Sequence, residues 1–541
     1  MEKKIIIHLD KPNTLSQHLT NCDIYNISIL KITGVIGRKD IEDVLDDMCT
    51  AWGTYDDDDN FIPDLEETPA LRHLDLGDSE YVDGTCMPPF GYKSQLESFI
   101  LPKGLESFGG PDNGICGTDT LRHIVFQNGI KIIGNILSCP NLANIAFPDS
   151  LEEICPFTFT GCSSITSVRL PSRLKSFDGT SFAGCNIKAF EIDENNPYFS
   201  VIDGVVYNKD LTVLVAFPSA FPNKHFDIPK STITIGHGAF MDSKLETISI
   251  PDGVKNIDED AFGGSSLKRI EMPDSVINVG RMAFRSCFEL ERVRLSNSLS
   301  VLPAQLFGSC PRLKELDVPS SVKQIYYSTI AWSGGLERLH LHDGLEEIVD
   351  EGPMLGTYGE LYEVNLPKTL KKIQGGLFNY SEILNDYNLD SDSPYFKVID
   401  SALCSYDGKE IFAVPGFCRT EYVIPEGIEV IGVRAFAFLP NIKFIKLPQT
   451  IKEIKSRAFQ GCSSLLGLVI PSSIERVDID ALWADNLKYI SIDKPTPPKM
   501  TGHVSKEKDW RYEDVELYVP KDSVEEYKKA PGWNSFNVKP L

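Results

Sequence analysis

Apolar and polar residues alternate along most of the chain in a pattern that returns every 22 or 23 residues. One copy begins with Leu-x-x-Ile-x-Met-Pro at 267–273 and continues with Val-x-x-Val at 276–279. A spacing of two is typical of a β-strand, so the isoleucine and methionine point inward while Glu271 between them points outward. Pro273 ends the strand because proline has no N–H for a further sheet hydrogen bond. Each copy is therefore predicted to be one coil with a short strand and a second extended segment.

Two residues recur with this period: a proline after the first apolar phrase and a phenylalanine after the second. A fixed period in this range predicts a solenoid of the leucine-rich-repeat kind. One coil buries too little apolar surface to fold alone, so stacked neighbours must complete the core. The prolines are Pro148, Pro171, Pro229, Pro251, Pro273, Pro319, Pro367, Pro425, Pro448 and Pro471, and the phenylalanines are Phe159, Phe182, Phe240, Phe262, Phe284, Phe307, Phe436 and Phe459.

The repeat divides the chain into three parts, and the predicted fold class is an α/β leucine-rich-repeat solenoid of short stacked strands. Residues 1–70 lack the repeat but show strand-like and helix-like apolar spacing, which predicts a small N-terminal α/β cap. The solenoid is predicted over 71–495. Residues 496–541 are predicted to form a C-terminal cap, in which Trp533 and Phe536 plug the open end of the core.

Two coils, near 193–228 and 390–424, are longer than the others and resemble each other. The first contains Asn-Pro-Tyr-Phe at 196–199 and the second Ser-Pro-Tyr-Phe at 393–396, each followed by a turn and a further apolar run. These signals predict a β-hairpin that projects from the solenoid in each coil. We interpret the hairpins first as structural elements and second as elements that grip a ligand.

The charge and composition of the chain indicate which partners and which cellular locations to expect. The formal net charge is −24 with Lys and Arg scattered, so nucleic acid is not an expected partner. No stretch approaches the roughly 20 apolar residues of a membrane span. The apolar run after Met1 is too short for a signal peptide, so the protein is expected in the cytoplasm if the chain is full length, and outside the cell if a leader was removed.

Motif searches give no catalytic, cofactor-binding or metal-binding residues. The Asp56–Asn60 run is acidic but lacks the ligand alternation of a calcium loop, which favours a solvated turn. The thirteen cysteines include four spaced by 23 residues, which indicates a ladder of buried thiols rather than disulfides or zinc ligands; these are Cys116, Cys139, Cys162 and Cys185. The chain is therefore expected not to be an enzyme, and an enzyme with a site that these motifs do not reveal is the alternative hypothesis.

The phrase Ile-Pro-x-x-Val-x-x-Ile, followed by Ala-Phe-x-Gly-Cys-Ser-Ser-Leu, resembles the BspA-like leucine-rich-repeat proteins of bacteria. It is best seen at 447–465 and 250–267, and the resemblance covers roughly residues 71–541. The resemblance implies an exported surface protein that acts in adhesion, with a host matrix protein or a bacterial surface protein as partner. It implies an extracellular or outer-surface location.

The candidate binding site is the outward row of the main sheet. Its partly basic strip comprises Arg269, Arg292, Arg294, Arg338 and His340. One interpretation of this strip is a binding surface for a partner, and the other is a ladder in which neighbouring charges neutralise one another. Phe444 and Tyr489 are candidate apolar contacts, and they also carry the alternative hypothesis of a carbohydrate-binding surface protein.

Overall fold

The computed structural model describes residues 3–20, 22–50, 53–55, 61–63, 70–88, 94–109, 114–326, 329–349, 360–373, 381, 384, 386–416, 419–502 and 512–541. The Asp56–Asn60 run lies outside these residues. The chain divides into two compact units, residues 1–266 and 267–541, and each is described by itself.

The first unit is built almost entirely from short strands. Its helical segments are α1 (Leu15–Leu19), α2 (Arg38–Asp40), a π-helical turn (Ile41–Leu45), α3 (Asp46–Cys49) and 3₁₀ turns at Ile24–Asn26 and Gly179–Phe182. The strands are β1 (Lys4–Leu9), β2 (Ile29–Ile36), β3 (Gly53–Tyr55), β4 (Phe61–Pro63), β5 (His73–Tyr81), β6 (Ser98–Ile100), β7 (Ser107–Phe108), β8 (Ile115–Cys116), β9 (His123–Val125), β10 (Ile132–Ile133), β11 (Ile136–Leu137), β12 (Asn144–Ala146), β13 (Glu153–Ile154), β14 (Ser167–Leu170), β15 (Ala189–Ile192), β16 (Phe199–Ile202), β17 (Val205–Asn208), β18 (Val213–Ala216), β19 (His225–Asp227), β20 (Thr234–Ile235), β21 (Thr247–Ser249) and β22 (Asn256–Ile257).

The second unit is likewise built almost entirely from short strands. Its helical segments are α4 (Val524–Tyr527) and 3₁₀ turns at Ile479–Leu482, Tyr512–Asp514, Lys521–Ser523 and Trp533–Ser535. The strands are β23 (Arg269–Glu271), β24 (Asn278–Val279), β25 (Arg292–Arg294), β26 (Val301–Leu302), β27 (Glu315–Val318), β28 (Gln324–Ile325), β29 (Arg338–Leu341), β30 (Glu347–Ile348), β31 (Glu363–Leu366), β32 (Lys372–Ile373), β33 (Asn388–Leu389), β34 (Phe396–Ile399), β35 (Ala402–Ser405), β36 (Glu410–Ala413), β37 (Glu421–Val423), β38 (Val430–Ile431), β39 (Phe444–Lys446), β40 (Glu453–Ile454), β41 (Gly467–Ile470), β42 (Arg476–Asp478), β43 (Tyr489–Ile492), β44 (Lys499–Thr501), β45 (Glu516–Val519) and β46 (Asn537–Pro540).

The predicted solenoid is confirmed: the first phrase of each coil forms a strand that pairs in parallel with its counterpart in a neighbouring coil. In the first unit the main sheet has the order β1-β2-β5-β6-β9-β12. Its register places Leu30 beside Leu74, and Leu74 beside Phe99. The first two strands come from the segment predicted as an α/β cap, so this segment extends the main sheet itself.

The second phrase of each coil forms a two-residue strand in a separate narrow sheet. Examples are β7-β10-β13 in the first unit and β26-β28-β30-β32 in the second. The paired positions alternate between half-exposed and buried residues, as at Val301–Leu302 beside Gln324–Ile325. Two sheets on two sides of each coil thus enclose one apolar core.

Both long coils contain an antiparallel three-stranded meander. In the first unit, β16 pairs with β17 and β17 with β18, and β18 then pairs in parallel with β20. The second unit repeats this with β34, β35 and β36, and β36 pairs with β38. Each long coil therefore contains the predicted hairpin, and the last strand of its meander takes the place of a second-phrase strand at one edge of the narrow sheet.

The phenylalanines of the repeat form buried aromatic ladders inside each unit. The rings of Phe240 and Phe262 lie 4.9 Å apart and are nearly parallel, and those of Phe436 and Phe459 lie 5.6 Å apart. All four side chains are essentially inaccessible to solvent. A ring stacked on the ring of the next coil contributes dispersion and electrostatic attraction beyond the burial of its area.

The cysteines of the repeat are free thiols in the described part of the chain, and most are buried. The Sγ of Cys162 donates to the carbonyl of Ile136 at 3.2 Å, and the Sγ of Cys310 to that of Phe284 at 3.2 Å. Ser333 occupies the same repeat position and donates its hydroxyl to the carbonyl of Phe307. The thiols therefore satisfy a backbone acceptor of the preceding coil, as the ladder hypothesis expects; Cys116 is only half-buried.

At the C-terminus, strands β43, β45 and β46 pair in parallel, and aromatic side chains close over the core. Trp533 is fully buried and its Nε1 donates to the carbonyl of Pro498 at 2.7 Å. Tyr527 is also buried, with its hydroxyl donating to the carbonyl of Lys494 at 3.0 Å. Trp533 and Phe536 thus pack against the core and are not available to a ligand.

Candidate functional site

The predicted basic strip lies on one face of the main sheet of the second unit, on strands β23, β25 and β29. Side chains two residues apart on these strands point to the same, outward side. The register pairs Arg269 with Arg292, and Glu271 with Arg294. Arg338 of β29 lies between Glu315 of β27 and Glu363 of β31 in the register.

Arg269 and Arg292 are direct neighbours of the same charge. Both side chains are exposed, and neither forms an ion pair with any residue that the structure describes. Like charges placed directly opposite on neighbouring strands destabilise a sheet. This pair therefore does not fit the interpretation of the strip as a self-neutralising ladder.

Arg294 belongs to a local network. One of its terminal nitrogens donates to the carbonyl of Met272 at 2.7 Å, and the other lies 3.1 Å from Oδ1 of Asp274. The Asp274 carboxylate also accepts hydrogen bonds from the backbone and side chain of Asn297. These bonds from Asn297, followed by the charge of Arg294, lower the pKa of Asp274 below its ordinary value.

Arg338 and His340 are held by residues of the neighbouring coils. Arg338 lies 3.9 Å from Glu315 and donates to the hydroxyl of Tyr362 at 3.2 Å. Nε2 of His340 lies 3.0 Å from Oε1 of the same Glu315. Here the ladder interpretation describes the contacts well, because Glu315 is shared by two basic groups. Of the five residues of the strip, three therefore contact side chains or backbone of neighbouring coils, and two have no ion-pair partner among the residues that the structure describes.

A wide, open cavity of about 870 Å³ lies over the basic end of this face. Two of its residues, Arg312 and Lys314, were not singled out from the sequence. Lys314 lies 2.7 Å from Glu360 and 3.1 Å from Glu337, and these hydrogen bonds raise its pKa. Arg312 pairs with Glu289. Lys314 occupies a polar position of the first phrase, and Arg312 directly precedes that phrase. The counterparts of Lys314 in the two preceding coils, Lys268 and Glu291, are charged as well, so the sequence did not set this position apart.

A second open cavity, of about 750 Å³, lies at the opposite ends of the same strands. Its polar lining combines imidazoles, carboxylates and amides from successive coils. His342 lies 2.6 Å from Asp317, and the amide of Asn388 donates to that of Asn365. The lining includes Asn297, Asp317, His340, His342, Asn365, Asn388 and Asp390. The whole face thus changes from arginine-rich at one edge to amide- and acid-rich at the other.

Phe444 and Tyr489 lie on a different part of the second unit, on strands β39 and β43. Phe444 is 69% exposed and Tyr489 is 42% exposed. Neither is close in the register to the arginine strip, so the structure does not combine the two sets of predicted residues into one site.

The described residues contain no cluster of three or more His, Cys, Asp or Glu side chains with a geometry suited to a metal ion. Within the same residues, no helix has the length and apolar character required to cross a membrane.

Stacked coils of 22–23 residues, each with one parallel strand and an outward row of polar side chains, define a leucine-rich-repeat solenoid. The profile of the BspA type leucine rich repeat region matches six copies, over residues 89–201, 215–337 and 409–498. These ranges cover more than half of the chain, which therefore belongs to the BspA-type leucine-rich-repeat family. The resemblance proposed from the repeated phrase is confirmed.

Solved structures of bacterial leucine-rich-repeat proteins are similar to this chain at low identity. A leucine-rich repeat protein from Bacteroides ovatus is 19% identical, with a TM-score of 0.38, and the alignment covers 76% of this chain and 92% of that one. One from Eubacterium ventriosum is 16% identical, with a TM-score of 0.36, covering 79% and 93%. A leucine rich cell surface protein from Faecalibacterium prausnitzii is 18% identical, with a TM-score of 0.36, covering 63% and 74%. No curated protein matched the sequence.

Proposed function

We propose that the protein is a non-catalytic binding protein that recognises another protein through the arginine-bearing face of its second unit. The observation that carries this proposal is the Arg269–Arg292 pair, which faces solvent and forms no ion pair with any residue that the structure describes. The repulsion within the pair weakens the sheet in the unbound protein. Carboxylates of a partner would relieve it, and arginine suits such contacts because its guanidinium binds a carboxylate through two parallel hydrogen bonds.

The rest of the face supports a macromolecular partner over a small molecule. Its two cavities are wide and open, and the polar side chains that line them come from several consecutive coils. Small-molecule sites are usually enclosed and mostly apolar. A mixed-charge surface of this kind can instead favour one partner over another by electrostatic complementarity.

The resemblance described above implies the location and the biological setting of this activity. We propose an extracellular or outer-surface protein that acts as an adhesin or interaction scaffold. The partner would be a host matrix protein or a protein on another bacterial surface, and its contact patch would be acidic.

The test is binding of the full chain to an array of host matrix proteins and bacterial surface proteins at about 150 mM salt. A saturable hit is expected, and the double variant Arg269→Ala/Arg292→Ala should weaken it at least tenfold, because two charged contacts are removed. Arg294→Ala is the matched control: it lies on the same face but is already bound to Met272 and Asp274, so its effect should be smaller. Unchanged affinity in variants of Arg269, Arg292, Arg294 and Arg338 would refute the assignment of the binding face.

A further inference from the structure

A second exposed surface of the second unit lies on strands β39, β41 and β43, which follow one another in consecutive coils. Gly467 of β41 is the register partner of Tyr489 of β43. Phe444 holds the equivalent position on β39, so Gly467 separates the two aromatic residues. With strands about 4.8 Å apart, the Cα atoms of Phe444 and Tyr489 are roughly 10 Å apart along the sheet.

The ring of Tyr489 lies across Gly467. A Cβ added at Gly467 would come within 2.0 Å of Cζ of Tyr489 and within 2.4 Å of both Cε atoms. These three ring carbons are closer to the added Cβ than the hydroxyl oxygen is, so the Cβ would meet the face of the ring rather than its edge. One face of the ring therefore rests on the strand at Gly467, and the other faces solvent.

Apolar side chains widen this flat ring into a platform. Val469 follows Gly467 on the same outward side and is 63% exposed, and Leu466 precedes it and is also exposed. Val423 lies beside Lys446 in the register of β37 and β39 and is exposed as well. Exposed apolar residues gathered in one place, rather than scattered singly, are typical of an interaction site.

Three lysines surround the platform. Lys443 and Lys446 flank Phe444, and Lys488 precedes Tyr489; all three are exposed. None of them forms an ion pair with a residue in the described part of the chain, whereas other lysines of the same unit do, such as Lys452 with Glu429. A group of unpaired cations is notable on a chain whose formal net charge is −24.

In the described strand register, the two aromatic residues have the carboxylates Glu516 and Glu421 as neighbours, and neither forms an ion pair with the three lysines. Glu516 is the register neighbour of Tyr489 but is already bound by Lys539 and by the hydroxyl of Tyr518. Glu421 lies beside Phe444 at the outer edge and is exposed. The local charge over the ring of Tyr489 is therefore positive.

We propose that this surface, the Tyr489 platform, binds an anionic polysaccharide. A sugar ring would stack its C–H face on the exposed face of Tyr489, and its carboxylate or sulfate groups would contact Lys446 and Lys488. The flat, supported ring favours a sugar over an acidic protein segment, because a sugar presents a flat apolar face and an anionic group within one unit. The site lies apart from the arginine face and does not depend on the proposed function.

Gly467→Ala is the most informative variant. The backbone of Gly467 is not in the left-handed region, so alanine fits the strand and should not lower the stability of the fold. Its methyl group would displace the ring of Tyr489 from its seat. The variant thus tests the platform without removing any group that contacts the ligand.

The experiment measures binding of the full chain to polygalacturonate and to dextran sulfate, with neutral dextran and poly-glutamate as comparisons. Both anionic polysaccharides should bind at least tenfold more tightly than dextran and than poly-glutamate. Gly467→Ala, Tyr489→Ala and the double variant Lys446→Gln/Lys488→Gln should each weaken binding at least fivefold, with the melting temperature of Gly467→Ala unchanged. Arg269→Ala/Arg292→Ala should bind the polysaccharides as the unaltered chain does, which separates this site from the arginine face.

Three results would overturn the proposal. Absence of binding to both anionic polysaccharides would do so directly. Equal binding of poly-glutamate would point to an acidic protein segment or to simple charge attraction. Binding that persists in Gly467→Ala and Tyr489→Ala would show that the aromatic platform has no part in it.

Discussion

Reversing one charge of the unpaired arginine pair should stabilise the second unit. In Arg269→Glu the new carboxylate would face Arg292 across neighbouring strands, which are about 4.8 Å apart. Two unit charges about 6 Å apart in water interact by about 0.7 kcal/mol, so a change from repulsion to attraction is at most about 1.4 kcal/mol. Screening at 0.1 M salt and the mobility of exposed side chains reduce this to about 0.3–1 kcal/mol.

The measurement is urea unfolding of the full chain, with the midpoint compared between the unaltered protein and Arg269→Glu at 0.1 M and 1 M NaCl. At 1 M the screening length falls to about 3 Å, so most of the stabilisation should disappear. Arg294→Glu is the control on the same strand face. It should destabilise the unit, because it removes the bonds to Met272 and places a carboxylate beside Asp274.

A destabilised Arg269→Glu would refute the reasoning, and so would a stabilisation that is the same at both salt concentrations. Either result would mean that the guanidinium of Arg269 contributes to the fold by some route other than its charge. If the stability rises while partner binding falls, the unpaired arginines are retained at a cost to stability, which is typical of binding residues.

Three further predictions concern the interior. Phe262→Ala should lower the free energy of unfolding by about 3–5 kcal/mol, since the ring is fully buried against Phe240; urea unfolding tests this, and a loss below about 1 kcal/mol would contradict it. The hydrogen bond with Asp178 raises the pKa of His237, so this bond should stabilise the fold fully below about pH 6.5 and lose its effect as the pH rises through the folded-state pKa of His237. The difference in the free energy of unfolding between the unaltered chain and His237→Gln should therefore be larger at pH 5.5 than at pH 8.5. Equal differences at the two pH values would contradict this prediction. Burial raises the pKa of the Cys185 thiol to about 12, so Cys185 should resist alkylation in the native protein while the half-buried Cys22 reacts. Mass spectrometry of labelled peptides measures both reactions. Rapid labelling of Cys185 would contradict its place in the ladder of buried thiols.

The fold could be predicted from the sequence because most coils repeat the same constraints. The proline after the first phrase constrains the backbone, and the phenylalanine after the second fills the core; both recur in most coils with the 22–23-residue period. Antiparallel hairpins are present in both coils where the turn residues predicted them. Turn residues identify a hairpin but do not say which sheet edge its last strand will join, and here β18 and β36 join the narrow sheet.

The candidate sites were only partly predictable, for a different reason. The 23-residue spacing of Arg269 and Arg292 was enough to place them side by side. It could not show that Arg294 would turn to Asp274 and Met272, since that choice depends on side-chain rotamers and on the turn after β23. The role of Gly467 was likewise hidden, because a glycine in a strand carries no sign of which ring will cover it.

The outward positions of a solenoid can change from coil to coil without any effect on the core, since their side chains do not enter it. Both candidate surfaces use this freedom in ways that work against a purely structural role. Arg269 and Arg292 repeat a charge where an alternation of signs would stabilise the sheet. Gly467 has no side chain, although a β-branched residue at this position would favour the strand. In each case the locally unfavourable choice lies on the outward side of the strand and affects nothing in the core. Residues of this kind, set against a background that otherwise follows the repeat, are where a binding function should be sought first in such a chain.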